Sequence, residues 1–415
     1  MTESKERKVV TPPRISIPIG PQHPALKEPG MFKLTIEGEK IVDAEVNIGY
    51  NHRGIEKIAE GNTHLQNLYL MARICGICSA THNGNYAQAV EFAAEIEIPE
   101  RARFLRTIVW ELERIHSHLL WLGVAFHEVG FDTAFMYSWR DREVVMDMLE
   151  DISGNRVNYD YNTIGGVRRD VNDALIQRMR KGFDRLEERT IYYRDVAIHE
   201  KTFWNRVDGV GLLPTSLAKT YGAVGPTGRG SNLPIDVRFN DPTQAYVNIV
   251  DSGEFEMVLS DRCDVAGRTV VRVQEVLETI RMCRWMLDNL PDGPIRERVR
   301  PQIQPNEVLA RYEAPRGECV HYLITGDGAG KSSDKPYRIK VRAPTHANWV
   351  SMAECLRGNH LADAPIILAA IDPCFSCTDR VVIVDAEDQT INLVPLDEMR
   401  NQANKWYSEN PRRVS

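Results

Sequence analysis

The sequence predicts an α+β protein that is mainly α: a central helical bundle with small β-sheets near the N- and C-termini. Three observations carry this. An apolar stripe of helical period runs through Leu105, Ile108, Val109, Leu112, Ile115, Leu119 and Leu122. Strict alternation replaces it over residues 32–48 and 337–341. No apolar run approaches the ~20 residues needed to cross a bilayer.

Taken in order, residues 1–13 are polar, end in Pro12-Pro13 and read as a loose tail. Phe32, Leu34 and Ile36 then alternate with Lys33 and Thr35, and Ala44, Val46 and Ile48 with Glu45 and Asn47. Gly38 lies between the runs, so a β-hairpin or small sheet is expected. Helical period fills residues 55–150, with Pro99 where a helix would start. Helix-rich stretches follow at 172–204 and 254–290. The Gly225-Pro226-Thr227-Gly228-Arg229-Gly230 segment reads as a loop against the core. Residues 319–342 return to strand character. The Gly326–Ser332 region imitates a phosphate loop, but Thr325 stands where the motif needs its first glycine, so a turn is expected. The main domain is placed at 14–380. A C-terminal extension, 381–415, opens on Val381-Val382-Ile383-Val384, a strand, and continues as a weak helix.

The net charge of −7 gives no basic face for nucleic acid. Met1–Arg7 is charged and lacks the apolar stretch of a secretory signal, so an intracellular chain is expected, reaching a membrane only through partner subunits. Of eight cysteines, Cys263, Cys283, Cys319 and Cys355 stand singly and read as buried apolar fillers.

The other four form two C-x-x-C pairs, Cys75/Cys78 and Cys374/Cys377. Two intervening residues let both sulfurs of a pair face one metal. Three ordinary readings compete: a tetrahedral zinc site, an iron–sulfur cluster and a redox dithiol. Zinc pairs usually lie close in sequence, because they staple a small local fold. These pairs lie far apart in a chain of 415 residues, which has no need of a staple.

The runs Arg73-Ile74-Cys75-Gly76-Ile77-Cys78-Ser79-Ala80-Thr81-His82 and Asp372-Pro373-Cys374-Phe375-Ser376-Cys377 resemble the two signatures of the nickel–iron hydrogenase large subunit. His52-Arg53-Gly54-Ile55-Glu56, Glu313-Ala314-Pro315-Arg316-Gly317-Glu318 and Arg342-Ala343-Pro344-Thr345 match further segments in the family's order. Gly20-Pro21-Gln22-His23-Pro24-Ala25, Glu113-Arg114-Ile115-His116-Ser117-His118-Leu119-Leu120 and Gly165-Gly166-Val167-Arg168 resemble the 49 kDa quinone-site subunit of respiratory complex I. Membrane-bound, energy-converting (group 4) hydrogenases, including that of formate hydrogenlyase, share both sets. The resemblance implies 2H⁺ + 2e⁻ ⇌ H₂ coupled to ion translocation. The alternative is a complex I-like quinone-site or redox subunit without nickel.

It further implies Cys75 and Cys374 as terminal nickel ligands. Cys78 and Cys377 would bridge to an iron carrying carbon monoxide and cyanide. Soft thiolates suit such metals. Implied partners are an iron–sulfur small subunit, ferredoxin-like subunits and ion-pumping membrane-arm subunits, at the cytoplasmic face of the cell membrane. Arg316 would suspend its guanidinium over the open metal position; its ordinary alternative is a structural arginine. Asp372 would orient Arg316 or accept a proton, or simply form the turn before Pro373. His82 would hydrogen-bond a bridging sulfur, or be a satisfied core histidine. Glu28 would relay protons, with Cys374 as the first base. His23 would line the remnant of the quinone cavity. Arg380 stands where many soluble relatives carry a magnesium-binding histidine, and is expected to pair with Glu56. Residues 381–415 resemble a tail removed during maturation after Arg380; equally, the strand-like Val381–Val384 is compatible with a segment retained as structure.

Overall fold

The computed structural model describes residues 13–380, 383–384, 391–392 and 396–409. The expected loose tail lies almost wholly outside the described residues, and so do Val381 and Val382.

The N-terminal alternation builds β2 (Met31–Glu37) and β3 (Lys40–Asn47), turning at Gly38 with φ 64°. A strand the sequence reading passed over, β1 (Arg14–Ile19), completes an antiparallel sheet in the order β1-β2-β3. Its Ile15, Ile17 and Ile19 alternate with Ser16 and Pro18, and its edge position tolerates the proline.

The expected helical stretch from 55 resolves into α1 (Ile55–Gly61), α2 (His64–Ala72), α3 (Ser79–Ala93), α4 (Glu100–Glu128) and α5 (Asp132–Ser153). A small hairpin follows, β4 (Asn162–Thr163) with β5 (Gly166–Val167). The 172–204 stretch becomes α6 (Asp173–His199) and α7 (Lys201–Val207). Four short helices succeed them: α8 (Thr215–Thr220), α9 (Gly225–Arg229), α10 (Val237–Asn240) and α11 (Tyr246–Asp251). The loop expected at 225–230 is thus a buried helical turn, started by Pro226 in the first turn. The helix expected from 254 begins later, as α12 (Val265–Asp288), because the Asp264 carboxylate caps the Gly267 N–H at 2.7 Å.

The strand character after 319 belongs to a second antiparallel sheet, β6-β7-β8 (Glu307–Ala314, Gly317–Ile324, Arg338–Arg342). Then come α13 (Pro344–Leu356), α14 (Ala364–Ile371) and α15 (Phe375–Thr378). The extension shows β9 (Ile383–Val384) paired with β10 (Ile391–Asn392), then α16 (Leu396–Glu409). In the Gly326–Ser332 region the Asp327 carboxylate accepts from Ala329 N–H and Lys331 N–H, which makes it a turn.

In the bundle α4 packs on α5 and α12, and α6 packs on those two in turn. α4 is buried on nearly every side, charged residues included. Arg114, Arg229 and Arg238 meet Glu111, Asp236, Glu275 and Glu313 inside it. Arg229 alone reaches Glu275 and Glu313, each at 2.7 Å. Burial, then Asp236, pushes Glu313 up to about 7, so three guanidiniums face three carboxylates and a fourth that is part-protonated.

Candidate metal centre

Cys75 lies in the turn between α2 and α3, and Cys78 is the residue before α3. Cys374 precedes α15, and Cys377 lies within it. Folding brings the two pairs together: Cys75 Sγ is 3.5 Å from Cys374 Sγ, and Cys78 Sγ is 3.6 Å from Cys377 Sγ. Cys374 and Cys377 stand 2.8 Å apart, beyond the ~2.05 Å of a disulfide. All four are buried free thiols whose sulfurs lie within 4.8 Å of one another. Sulfurs bound ~2.3 Å from one ion stand about 3.8 Å apart, so the donor set fits a shared metal.

Electrostatics favour the same reading. Hydrogen bonds from Cys374, Cys377 and Cys78 hold the Cys75 thiol well below its ordinary value. Burial pushes Cys377 well above. Burial limits how much negative charge the four crowded sulfurs can carry. A metal ion removes that limit by replacing the protons.

Several groups fix the two loops. Arg53 donates to the carbonyls of Arg73 at 2.8 Å, Ile74 at 2.7 Å and Ser376 at 3.0 Å, tying both cysteine motifs to one guanidinium. The Glu113 carboxyl, from α4, accepts from Ala80 N–H at 2.6 Å and Thr81 N–H at 2.9 Å, capping α3 just past Cys78. Burial pushes Glu113 up to about 8 against these donors. Thr345 Oγ1 accepts the Cys374 N–H at 3.1 Å.

Arg316 sits at the turn between β6 and β7. Its Nε donates to the Asp372 carbonyl and its Nη2 to the Asp372 carboxylate, both at 2.9 Å. Asp372 holds a left-handed conformation, φ 56°, that ends α14 and aims the chain at Cys374. Gly225 is required here: a Cβ on it would stand 2.2 Å from the Arg316 carbonyl oxygen. Burial lowers the Arg316 pKa, but Asp372 and the sulfurs of Cys374, Cys75 and Cys78 outweigh it and hold it well above the ordinary value. Its Nη1 is buried without a partner. Lys27 Nζ also approaches Asp372, at 3.5 Å.

Glu28 accepts from Phe375 N–H at 2.6 Å and Ser376 N–H at 3.1 Å, and from the Ser376 hydroxyl. Burial, then the charge on Cys75, raises its pKa. His82 Nε2 is 3.4 Å from Cys377 Sγ, and its Nδ1 is 3.1 Å from His321 Nε2. Cys319, expected to be a plain filler, reaches His82 Nδ1 at 3.7 Å. Cys283 and Cys355 are buried, while Cys263 is only half-buried in a loop.

Beside Cys377 a cavity of about 170 Å³ opens, lined by Arg53, Glu56, Lys340, Ser376 and Arg380 among others. Glu56 accepts from Arg380 Nη2 at 3.1 Å, Lys340 Nζ at 2.8 Å and Val341 N–H at 3.0 Å. The expected pairing with Arg380 forms, and two cations already neutralise this carboxylate. His23 stays apart from the cysteines: it is exposed, accepts Ala25 N–H at 3.2 Å within its own loop, and lines an open hollow with Lys27 and Glu28.

Sequence reading assigned no role to Arg53, Glu113, Thr345 or His321. The first three lie inside motifs quoted for the resemblance, so a signal existed. His321 had only its place two residues after Cys319 on an alternating strand.

The family described as the 49 kDa subunit of respiratory-chain NADH dehydrogenase matches residues 128–307 and 297–380. The nickel-dependent hydrogenase family matches residues 53–131. The chain is 42% identical to the membrane-bound hydrogenase subunit alpha of Pyrococcus furiosus, covering 96% of this chain and 94% of that one. It is 40% identical to formate hydrogenlyase subunit 5 of Escherichia coli, covering 92% of this chain and 66% of that longer relative. A solved chain of the membrane-bound sulfane sulfur reductase, an archaeal respiratory membrane complex, superposes with a TM-score of 0.82 at 30% identity, over 88% of this chain and 98% of that one. Among the described residues no helix is long and apolar enough to cross a membrane. The chain therefore belongs to the large-subunit family that unites membrane-bound nickel-dependent hydrogenases with the 49 kDa subunit of respiratory-chain NADH dehydrogenase, and is an oxidoreductase of its hydrogenase branch.

Proposed function

We propose that Cys75, Cys78, Cys374 and Cys377 hold a nickel–iron centre, its iron carrying carbon monoxide and cyanide, for the interconversion 2H⁺ + 2e⁻ ⇌ H₂. The observation that carries this is the convergence of four buried thiols on one point. Such a centre, when bound, supplies redox electrons and an open coordination position for heterolytic H₂ cleavage. Arg316 keeps a fixed positive charge at the cluster, with the unpartnered Nη1 free to polarise substrate. Asp372 orients that guanidinium through two hydrogen bonds. The Cys374 sulfur takes the released proton, and Glu28, its affinity for protons raised by burial, passes it towards the hollow it lines. His82 donates to the Cys377 sulfur.

Cys263, Cys283, Cys319 and Cys355 stand too far apart in the chain and fold to make a second cluster of four sulfurs. Electrons therefore pass through an iron–sulfur small subunit and ferredoxin-like subunits. The complex docks at the cytoplasmic face on a membrane arm that pumps ions. The tail after Arg380 is removed once nickel is in place. Infrared spectra of the intact complex, with H₂ evolution from reduced ferredoxin, test this. Carbon monoxide and cyanide stretches together with H₂ support it. Quinone or other redox activity without those bands overturns it in favour of a nickel-free subunit.

A further inference from the structure

The strand that begins beside Arg316 also reaches the cluster through His82, the neighbour of Cys377. Along β7 the buried positions alternate: Gly317, Cys319, His321 and Leu323. That face packs on α3, and there it meets the ring of His82. His82 Nδ1 has two neighbours, His321 Nε2 at 3.1 Å and Cys319 Sγ at 3.7 Å. Its Nε2 has one, Cys377 Sγ at 3.4 Å. All three residues of this group are fully buried. Among the described residues no carboxylate bonds either imidazole, so a charge on one would be uncompensated.

A neutral imidazole has one N–H and one lone pair. A metal-bound thiolate only accepts, so Nε2 of His82 must carry the hydrogen. Nδ1 then accepts, and His321 Nε2–H is its nearest donor. The rest of the molecule agrees: His321 Nδ1 is buried without a partner. In this arrangement that orphan is a lone pair. In the reverse arrangement it would be a stranded N–H, and His82 would turn a lone pair on the sulfur. An orphaned buried donor is the rarer and costlier of the two.

We propose that His321 is a positioning residue of the cysteine centre, its Nε2–H fixing the His82 tautomer that donates to the Cys377 sulfur. Cys319 S–H is the auxiliary donor. The hydrogen bond draws electron density from that sulfur, so His321 tunes the metals without touching them. This rests on the metal-centre reading above.

Infrared spectra of the intact complex test it with a pair of polar variants. His321→Gln carries an amide N–H near the imidazole Nε2 position; His321→Asn does not reach it. The expected result is wild-type carbon monoxide and cyanide bands for the Gln variant. The Asn variant should show bands displaced beyond their widths, and about 10-fold less H₂ evolution at equal nickel content. Coincident bands in the two variants overturn the proposal. So does a third metal ion per chain that is lost from both, because His82, Cys319 and His321 would then be ligands. If one variant fails to assemble, Cys319→Ala replaces it, with a smaller displacement expected and none overturning the proposal. Wild-type complex without such bands sinks the metal-centre reading itself, and this inference with it.

Discussion

Two clusters of buried polar groups lie in this molecule, and they are built on opposite terms. The ion network around α4 finds opposite charge within the chain: Arg229 meets Glu275 and Glu313 with only its Nη2 unpartnered, Arg238 meets Glu111 and Asp236, and the one surplus carboxyl, Glu313, is pushed up to about 7. The thiol cluster is not complete. Its sulfurs have mainly one another for partners, the carboxylate beside them is already taken by Arg316, and an Arg316 nitrogen is left over. A buried polar group needs compensation wherever it sits. A cluster that finds it internally is architecture. A cluster whose members face mainly their own kind is waiting for opposite charge from outside.

The sharpest way to break this contrast is to unbalance the first cluster. Arg229→Met leaves Glu275, Asp236 and Glu313 facing each other and should cost about 3–5 kcal/mol, read from urea midpoints. Nickel content per assembled complex should stay unchanged; a metal loss as large as that of a cysteine variant would merge the two clusters.

Next in size is a buried group belonging to neither. His64 bonds only the Tyr86 hydroxyl, and burial pushes it down to about 4. Its folded pKa lies below the unfolded ~6.5, so the stability it contributes is present above pH 6.5 and lost as pH falls through about 4. His64→Gln should remove about 3 kcal/mol of the acid-side slope in that window. An unchanged slope between pH 6.5 and 4 would contradict it.

Arg316→Lys keeps the charge but loses the fork on Asp372. H₂ evolution should fall about 100-fold with nickel retained. A near-normal rate would make Arg316 structural, like the network arginines. The smallest effect belongs to Arg380→Gln, whose partly exposed pair with Glu56 is worth at most about 1 kcal/mol, since Lys340 and Val341 N–H still hold that carboxylate. Thermal unfolding should barely move.

The thiol cluster was legible in the sequence because metal chemistry leaves a spacing signature that burial does not blur. Helix α4 was legible for a similar reason: its stripe from Leu105 to Leu122 has one period throughout. The ion network was not. Glu111 and Arg114 look like the solvated face of an amphipathic helix, and only the fold reveals Arg238 and Glu275 across from them. Strand β1 was overlooked although Ile15, Ile17 and Ile19 alternate, because the run is short and carries Pro18, which only an edge strand tolerates. Helix α9 looked like a loop, since its glycines serve close packing, Gly225 against the Arg316 turn and Gly228 against Ala223, rather than flexibility.

The central claim is that the thiol cluster is completed by nickel and iron. Metal content of the purified complex, wild type beside Cys374→Ala, tests it most directly. The account predicts nickel in equal number to this chain, iron with it, and nickel absent from the variant. Zinc alone in the wild type, or nickel undiminished in the variant, would contradict it.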